Sequence, residues 1–153
     1  MAELFYLAKI GEINLKKGNL KDFERRLAQN FRSYFDGAAP NVQVRAGRMY
    51  VRADEALQPR VEAALNHLFG ITSWAQAKPV DKTLEAISET AVTEAKALQA
   101  QGARTFKIEA RRADKQFPLT SYDIAREVGG TIHTAGILTV DVHNPDAVIS
   151  IEV

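Results

Sequence analysis

The order of its local patterns is the feature that most limits what this chain can fold into. Segments with strand-type alternation and segments with helix-type spacing follow one another as β-α-β-β-α-β over roughly the first 77 residues. Pro79 marks a boundary, and a second series, α-β-α-β-β, fills the rest of the 153 residues. We therefore predict an α+β protein with two small domains, residues 1–78 and residues 79–153.

The first series is typical of a ferredoxin-like fold, a split β-α-β arrangement. A first strand is expected over roughly residues 3–10, a hairpin over "VQVRAGRMYVRA" and a last strand over "ITSWAQA". The second helix should bury Val61, Leu65 and Leu68 and end at Gly70. The first helix is expected to begin with Asn19 as its N-cap and to bury apolar residues at helical spacing, namely Leu20, Phe23, Leu27, Phe31 and Phe35.

The second series begins with a long helix of Ala, Glu and Leu that ends at Gly102. A strand, "TFKIEAR", follows, and its alternation places Lys107, Glu109 and Arg111 on one face. A helix with apolar residues four apart is expected over "TSYDIAREVGGTIHTAG", and two short strands are expected around "HNPDA". We predict an α/β domain from this order.

Composition excludes several classes of protein. The formal net charge is +1, so a surface for polyanions has to arise from local clustering. The chain has no cysteine, which excludes disulfides, thiolate metal sites and a sulfur-carrying thiol in these residues. No apolar run approaches the roughly 20 residues that span a bilayer, and the N-terminus lacks the pattern of a signal peptide. We expect a cytoplasmic protein with no membrane partner.

No residue pattern indicates catalysis. The three histidines, His67, His133 and His143, are far apart, and no carboxylate joins them at metal-ligand spacing. The sequence contains no G-x-S-x-G elbow, no P-loop and no S-G-G-x-D-S nucleotide loop. We therefore predict that this chain alone is not an enzyme, with no catalytic residue, no metal ligand and no cofactor.

Basic residues cluster in two places on this nearly neutral chain. Residues 9–26 and residues 104–115 each have a local net charge of +3, whereas the predicted helix over residues 81–99 is acidic. Such segregation suits a protein that binds a polyanion with one face. The alternative is that both basic runs are only solvated surface.

The position of the second cluster favours a phosphate site. Arg111 and Arg112 are adjacent at a strand end, so their side chains point to opposite sides. Lys115 follows, and Thr120 or Ser121 caps a helix whose free N–H groups attract phosphate oxygens. A guanidinium binds a phosphate through two hydrogen bonds, so these groups form a candidate clamp. The alternative for Thr120 and Ser121 is N-capping alone.

The stretch "FKIEARRADKQFPLTSYDIAREVG" resembles the core of a THUMP domain, most closely the version in the tRNA 4-thiouridine synthetase, or tRNA sulfurtransferase, family. The shared features are paired basic residues at a strand end, an F-P pair and T/S before a helix with "A-R-E-V-G". "KIGEINLKKGNLKDFERRL" resembles that family's N-terminal segment, and "VDVHNPDAVISIEV" resembles the THUMP strand pair around an N-P-D turn. Ile10 and Leu20 depart from the pattern, which usually has a tyrosine and a basic residue there.

The resemblance implies a ferredoxin-like domain and a THUMP domain that together hold tRNA by its acceptor stem and 3′ end. In that family an ATP-using PP-loop domain thiolates a uridine, and some members also supply sulfur for the thiazole of thiamine. Neither that domain nor its cysteines occur in these 153 residues. The chain is therefore expected to be a tRNA-binding part of such an enzyme, with ATP and a sulfur-donor protein serving only the full enzyme. A homodimer of the full-length protein is left open.

The RNA-facing residues implied by the resemblance lie in both domains. In the first domain they are Lys9, Lys16, Lys17 and Asn19. In the second domain they are Lys107, Arg111, Arg112, Lys115 and Ser121. We expect them to position the RNA through its phosphates, because the deep major groove of an A-form stem offers little sequence readout.

Three other functions compete with this interpretation. A THUMP-type adaptor of a different tRNA-modifying enzyme, a methyltransferase or a deaminase, would carry the same motifs. A small enzyme of acylphosphatase type would need a phosphate-loop arginine beside a strand asparagine, which "RAGRMY" does not supply. A scaffold whose basic faces bind nothing would have no salt-dependent affinity for RNA. The strand "AVISIEV" reaches Val153 without a turn or cap, from which we expect the native chain to continue.

Overall fold

The computed structural model describes residues 2–11, 17–37, 39–45 and 47–153, and it leaves the side chains of residues 17–19 undescribed. The chain divides into two compact units, Met1–Pro79 and Val80–Val153. Each unit has its own hydrophobic core. The division falls one residue after the boundary predicted from the sequence.

The first unit is a four-stranded antiparallel sheet with helices packed on one face. The strands lie in the order β2-β3-β1-β4, which is the predicted ferredoxin-like arrangement. Its elements in the described residues are β1 (Glu3–Ile10), α1 (Lys17–Arg32), β2 (Asn41–Arg45), β3 (Arg48–Asp54), a 3-10 helix (Glu55–Leu57), α2 (Gln58–His67) and β4 (Ile71–Ala77).

Strand alternation builds the core of the first unit. Tyr6 and Ala8 of β1 and Met49 of β3 face the helices and are buried. The Tyr6 hydroxyl donates a 2.9 Å hydrogen bond to Glu62 of α2, and burial together with this carboxylate raises the pKa of Tyr6 to about 12. The phenol therefore stays protonated at any physiological pH and ties β1 to α2.

The helices of the first unit differ from prediction at their ends. The predicted inward residues Val61, Leu65 and Leu68 are all buried, although Leu68 lies just past the end of α2. Helix α1 begins at Lys17, so Asn19 lies within it and the predicted N-cap was wrong. Leu20 is 47% exposed and lies outside the core of the first unit, so its assignment to the buried face of α1 was wrong.

Gly70 is required where α2 returns to β4. Its φ of 102° lies in the left-handed region that glycine adopts at little cost. A Cβ at this position would lie 3.2 Å from Cζ of Phe23, which packs against the core. Both the backbone conformation and the packed ring therefore explain why the predicted helix stop is a glycine.

The second unit is a three-stranded parallel sheet with two helices. The strands lie in the order β6-β5-β7, and β5 pairs in parallel with both neighbours. The two short strands around "HNPDA" therefore do not pair with each other, contrary to the expected strand pair. The elements are α3 (Leu84–Ala100), β5 (Thr105–Arg111), α4 (Ser121–Thr134), β6 (Thr139–Val140) and β7 (Ala147–Glu152).

Helices α3 and α4 cover the Phe106 face of this sheet. Ile124, Val128 and Ile132 of α4 are fully buried, as their spacing predicts. Helix α3 contributes smaller buried residues, mainly Ala91 and Ala95, which permit close packing. Lys107, Glu109 and Arg111 lie on the opposite face of β5, away from α3 and α4, which we call the helix-free face of this sheet.

Asp146 holds the connection from β6 to β7 around the start of β5. Its carboxylate accepts hydrogen bonds from the backbone N–H groups of Arg104 and Thr105, at 2.9 and 3.2 Å. The Asp146 N–H in turn donates to the Thr105 hydroxyl at 2.9 Å. This reciprocal set explains the Asp of the N-P-D turn, since its carboxylate satisfies two backbone donors at the start of β5.

Replacing Asp146 by asparagine is expected to lower the thermal midpoint of the second unit near neutral pH. Hydrogen bonds from Arg104 and Thr105 hold the pKa of this carboxyl below its ordinary value of 3.8. A depressed pKa in the folded state adds stability above the unfolded pKa, and this stability is lost as the pH falls through the folded pKa. Asp146→Asn should therefore also flatten the acid decline.

Differential scanning calorimetry between neutral pH and about pH 3 measures both effects. Asp36→Asn, at an exposed carboxylate of the first unit, is the matched control and should leave the second unit unchanged. Equal acid declines for the unaltered chain and Asp146→Asn would contradict the role assigned to Asp146.

Candidate nucleic-acid interface

The start of α4 is capped by Thr120. The Thr120 hydroxyl accepts a 3.1 Å hydrogen bond from the Asp123 N–H, so Thr120 and not Ser121 is the N-cap. Ser121 is the first helical residue and is exposed. Asp123 in the first turn complements the positive end of the helix dipole, so this helix end is already partly neutralised.

Arg112 joins the end of β5 to this helix start. Its Nη1 donates to the carbonyl oxygens of Phe117 and Leu119, at 3.0 and 3.3 Å. Arg112 therefore fixes the segment that leads to the Thr120 cap. A guanidinium has five N–H donors, so this bonding does not use up the group. The predicted contact of Arg112 with phosphate stays a prediction.

Acidic charge near Arg112 is balanced by Lys82. The Lys82 ammonium lies 2.7 Å from Asp114 Oδ2, and the Gln116 N–H donates to Oδ1 of the same carboxylate at 3.0 Å. The hydrogen bond from Lys82 is the main reason why the pKa of Asp114 is lowered. Exposed Lys115 and part-buried Arg112 therefore leave this loop with an excess of positive charge.

Phe117 belongs to the core and not to a stacking surface. It is 6% exposed and packs in the hydrophobic cluster of the second unit. Tyr122, by contrast, is 72% exposed in the first turn of α4, where the Arg126 guanidinium lies 5.9 Å from its ring centre. The exposed aromatic residue of this region is therefore Tyr122, which the sequence patterns did not single out.

Arg111 and Lys107 lie on the helix-free face of the second sheet, on the opposite side from Arg112. Lys107 Nζ is 3.1 Å from a Glu109 carboxylate oxygen, and Arg111 Nη1 is 3.6 Å from Glu152. The predicted divergence of Arg111 and Arg112 thus occurs. The predicted clamp is divided, with Arg112, Lys115 and the α4 start on one side and Arg111 with Lys107 on the other.

Of the RNA-facing residues predicted in the first unit, only Lys9 has a described side chain. Lys9 lies on β1, where it is opposite Arg48 of β3 and Ser73 of β4. Lys16 lies outside the described residues. Lys17 and Asn19 are in the first turn of α1, and their side chains are likewise outside the description.

Three arginines that the charge counts missed share the face of Lys9. Arg45 ends β2 directly opposite Arg48 of β3, and Arg52 lies on the same face of β3, four residues after Arg48. The alternation in "NVQVR" and "RMYVRAD" could have revealed them, since the valines between them are core residues. Counting charge along the chain could not, because the arginines fall between the two basic runs.

Other classes of site find no support in the described part of the chain. No group of three His, Cys, Asp or Glu side chains there is arranged to hold a metal ion. No helix among those residues is long and apolar enough to cross a membrane.

Comparison with known families assigns both units. The model of the THUMP domain matches residues 81–153, and the model of the ThiI ferredoxin-like domain matches residues 5–75. Residues 81–153 therefore belong to the THUMP-domain family. Residues 5–75 form a ferredoxin-like domain of the ThiI type, as the resemblance in the sequence implied.

Similar proteins agree with this assignment. A probable tRNA sulfurtransferase of Treponema pallidum (strain Nichols) is 52% identical over 150 residues, which are 97% of this chain and 37% of that protein. A crystal structure of a 4-thiouridine synthetase–RNA complex with bound ATP matches 99% of this chain and 39% of its own, at 30% identity and a TM-score of 0.73. The structure of PH1313 from Pyrococcus horikoshii matches 98% of this chain and 50% of its own, at 29% identity and a TM-score of 0.77.

Arg112→Ala is expected to destabilise the second unit by roughly 1–3 kcal/mol, because two loop carbonyls lose a charged donor. Amide hydrogen exchange over residues 113–120 should accelerate. Lys115→Ala, which removes an exposed cation from the same loop, should change stability by no more than about 0.5 kcal/mol. Chemical denaturation and hydrogen exchange measure these effects, and equal losses for the two variants would contradict the role of Arg112 in fixing the loop.

Proposed function

We propose that this chain is the tRNA-binding module of a tRNA-thiolating enzyme that makes 4-thiouridine. In this proposal it holds the acceptor stem and 3′ end while a further domain performs the chemistry. The observation that carries the proposal is the match of both units, in order, to tRNA sulfurtransferases of which the chain spans about 37%. A solved relative named as a 4-thiouridine synthetase in complex with RNA supports the same function.

The geometry of the Arg112 loop supports a role in phosphate binding. Arg112 is held by backbone carbonyls, so its planar guanidinium is positioned before any ligand arrives. Lys115 is exposed beside it, and Lys82 balances the neighbouring Asp114 carboxylate. A positioned cation loses less side-chain entropy on binding than a free one, which favours an RNA contact at this loop.

The residues of this chain do not fit the ATP that the family implies. Nucleotide sites of the P-loop and PP-loop type need a glycine-rich loop at the start of a helix, and the sequence has none. Sulfur transfer through a persulfide needs a cysteine, and the chain has none. Under this proposal, nucleotide and sulfur chemistry belong to a part of the enzyme other than these residues.

Fluorescence anisotropy with intact tRNA, and with tRNA trimmed of its single-stranded 3′ end, tests the proposal at low and moderate salt. We expect tight, salt-dependent binding of intact tRNA and a clear loss of affinity on trimming, because the 3′ end is the proposed ligand. Equal, weak binding of both RNAs would contradict this function and leave only a generic basic surface.

Lys115→Gln should weaken tRNA binding and reduce the slope of log K against log salt by about 1, the value for one phosphate contact. Lys96→Gln removes another exposed cation, from the acidic helix α3, and should change neither quantity. Single variants at Lys115 are preferable to the pair Arg111→Ala and Arg112→Ala, since Arg112 also supports the loop.

A further inference from the structure

On the face of the first sheet opposite α1 and α2, the strand register aligns residues in three rows that cross all four strands. We call each row a rung. Each rung takes one residue from β2, β3, β1 and β4 in that order. The rungs are Arg45–Arg48–Lys9–Ser73, Gln43–Tyr50–Leu7–Ala75 and Asn41–Arg52–Phe5–Ala77. Directly opposite side chains lie about 4.5–5.5 Å apart, so each rung is a continuous row. We refer to these twelve residues as the rung face.

The rung face is cationic. Its twelve residues include no Asp or Glu and four cations, namely Lys9, Arg45, Arg48 and Arg52. The nearest carboxylates in the register, Glu3 and Asp54, form the next pair at the end of β1 and β3. Asp54 is turned to the backbone, where it accepts a 2.9 Å hydrogen bond from the Ala56 N–H. The face therefore complements a polyanion.

Two aromatic rings lie among these cations on the central strands. Phe5 of β1 is directly opposite Arg52 of β3, and Tyr50 lies two residues before Arg52 on β3. Phe5 and Tyr50 are therefore diagonal neighbours, about 7–8 Å apart. Both rings are partly exposed, whereas Tyr6 on the other face is buried. The Arg45 guanidinium lies over the Tyr50 ring, 4.9 Å from the ring centre, so it covers one ring face and presents its own plane for stacking.

We propose that the rung face binds an unpaired stretch of RNA, with bases stacked on Phe5 and Tyr50 and phosphates held by the four cations. The inference rests on the proposed function and adds to it the surface of the first unit that makes the contact and the kind of RNA that this surface takes. RNA-recognition motifs use aromatic residues of a four-stranded sheet to stack bases, and such stacking tolerates any sequence. A paired stem hides its base faces, and the Asp and Glu side chains of an acidic polypeptide have no ring to stack, so unpaired RNA fits this face best.

The test compares an unpaired RNA of about 10 nucleotides, within the usual site size of 4–16, with a blunt duplex of equal length. The unpaired strand carries a fluorescent label and one 2-aminopurine, whose fluorescence falls on stacking. The chain should prefer the unpaired strand and quench the 2-aminopurine. Tyr50→Leu and Phe5→Leu should each weaken this binding about five-fold or more and remove the quenching.

Matched controls separate the rung face from the rest of the surface. Tyr34→Leu removes an exposed tyrosine after α1, and Arg60→Gln removes an exposed arginine of α2, and both should bind as the unaltered chain does. Arg52→Gln should lower the salt slope by about 1, as expected for one phosphate contact. If a leucine variant fails to fold by circular dichroism, Arg52→Gln and Arg45→Gln decide the question.

Rung-face variants that bind unpaired RNA as tightly as the unaltered chain would overturn the inference. A second result would also overturn the inference: polyglutamate displaces all of the RNA, and the 2-aminopurine fluorescence does not change at any stage. That result would indicate a face that binds acidic protein. If either result is found while intact tRNA still binds and Lys115→Gln weakens it, the proposed function stands without this contact. An absence of tRNA affinity would overturn both.

Discussion

The one-sided covering of each sheet is the constraint on which the rest of this structure depends. In both units the helices pack on a single sheet face, through Tyr6 and Met49 in the first and Phe106 in the second. Successive strand residues point to opposite faces, so the same alternation that builds each core also sends polar residues to the other side. Each sheet therefore has a second face whose residue types are not set by packing against the helices of its own unit.

The two faces differ in the carboxylates that the strand register places among their cations. On the second sheet, Lys107 and Arg111 each lie beside a carboxylate, Glu109 and Glu152 respectively. The rung face of the first sheet has four cations and no carboxylate within its three rungs. A chain with a net charge of only +1 can thus present a strongly basic surface, because its acidic residues are concentrated elsewhere.

Local patterns predicted most of the fold because the periods of strands and helices are encoded within a few residues. The strand "TFKIEAR" and the buried stripe Ile124–Val128–Ile132 are found where expected. The errors fall at helix ends, where the start of α1 precedes Asn19 and Leu20 is exposed. They also occur in long-range pairing, since β5 lies between β6 and β7 in a parallel sheet, and no local pattern reports which strands meet. Of the site, the sequence indicated the cations near β5 but not their separation, nor that Arg112 bonds to loop carbonyls.

By itself, the sequence determined the element order, the two units, the cores and the family, because each follows from residue spacing and short motifs read along the chain. Only the tertiary structure decided which side chains share a surface. Register across four strands brings Lys9, Arg48 and Arg45 into one row, although they come from separate segments. It likewise places the Asp146 carboxylate against the first N–H groups of β5, 41 and 42 residues away. Such contacts depend on the closure of long loops around a packed core, which the alternation within any one strand does not specify.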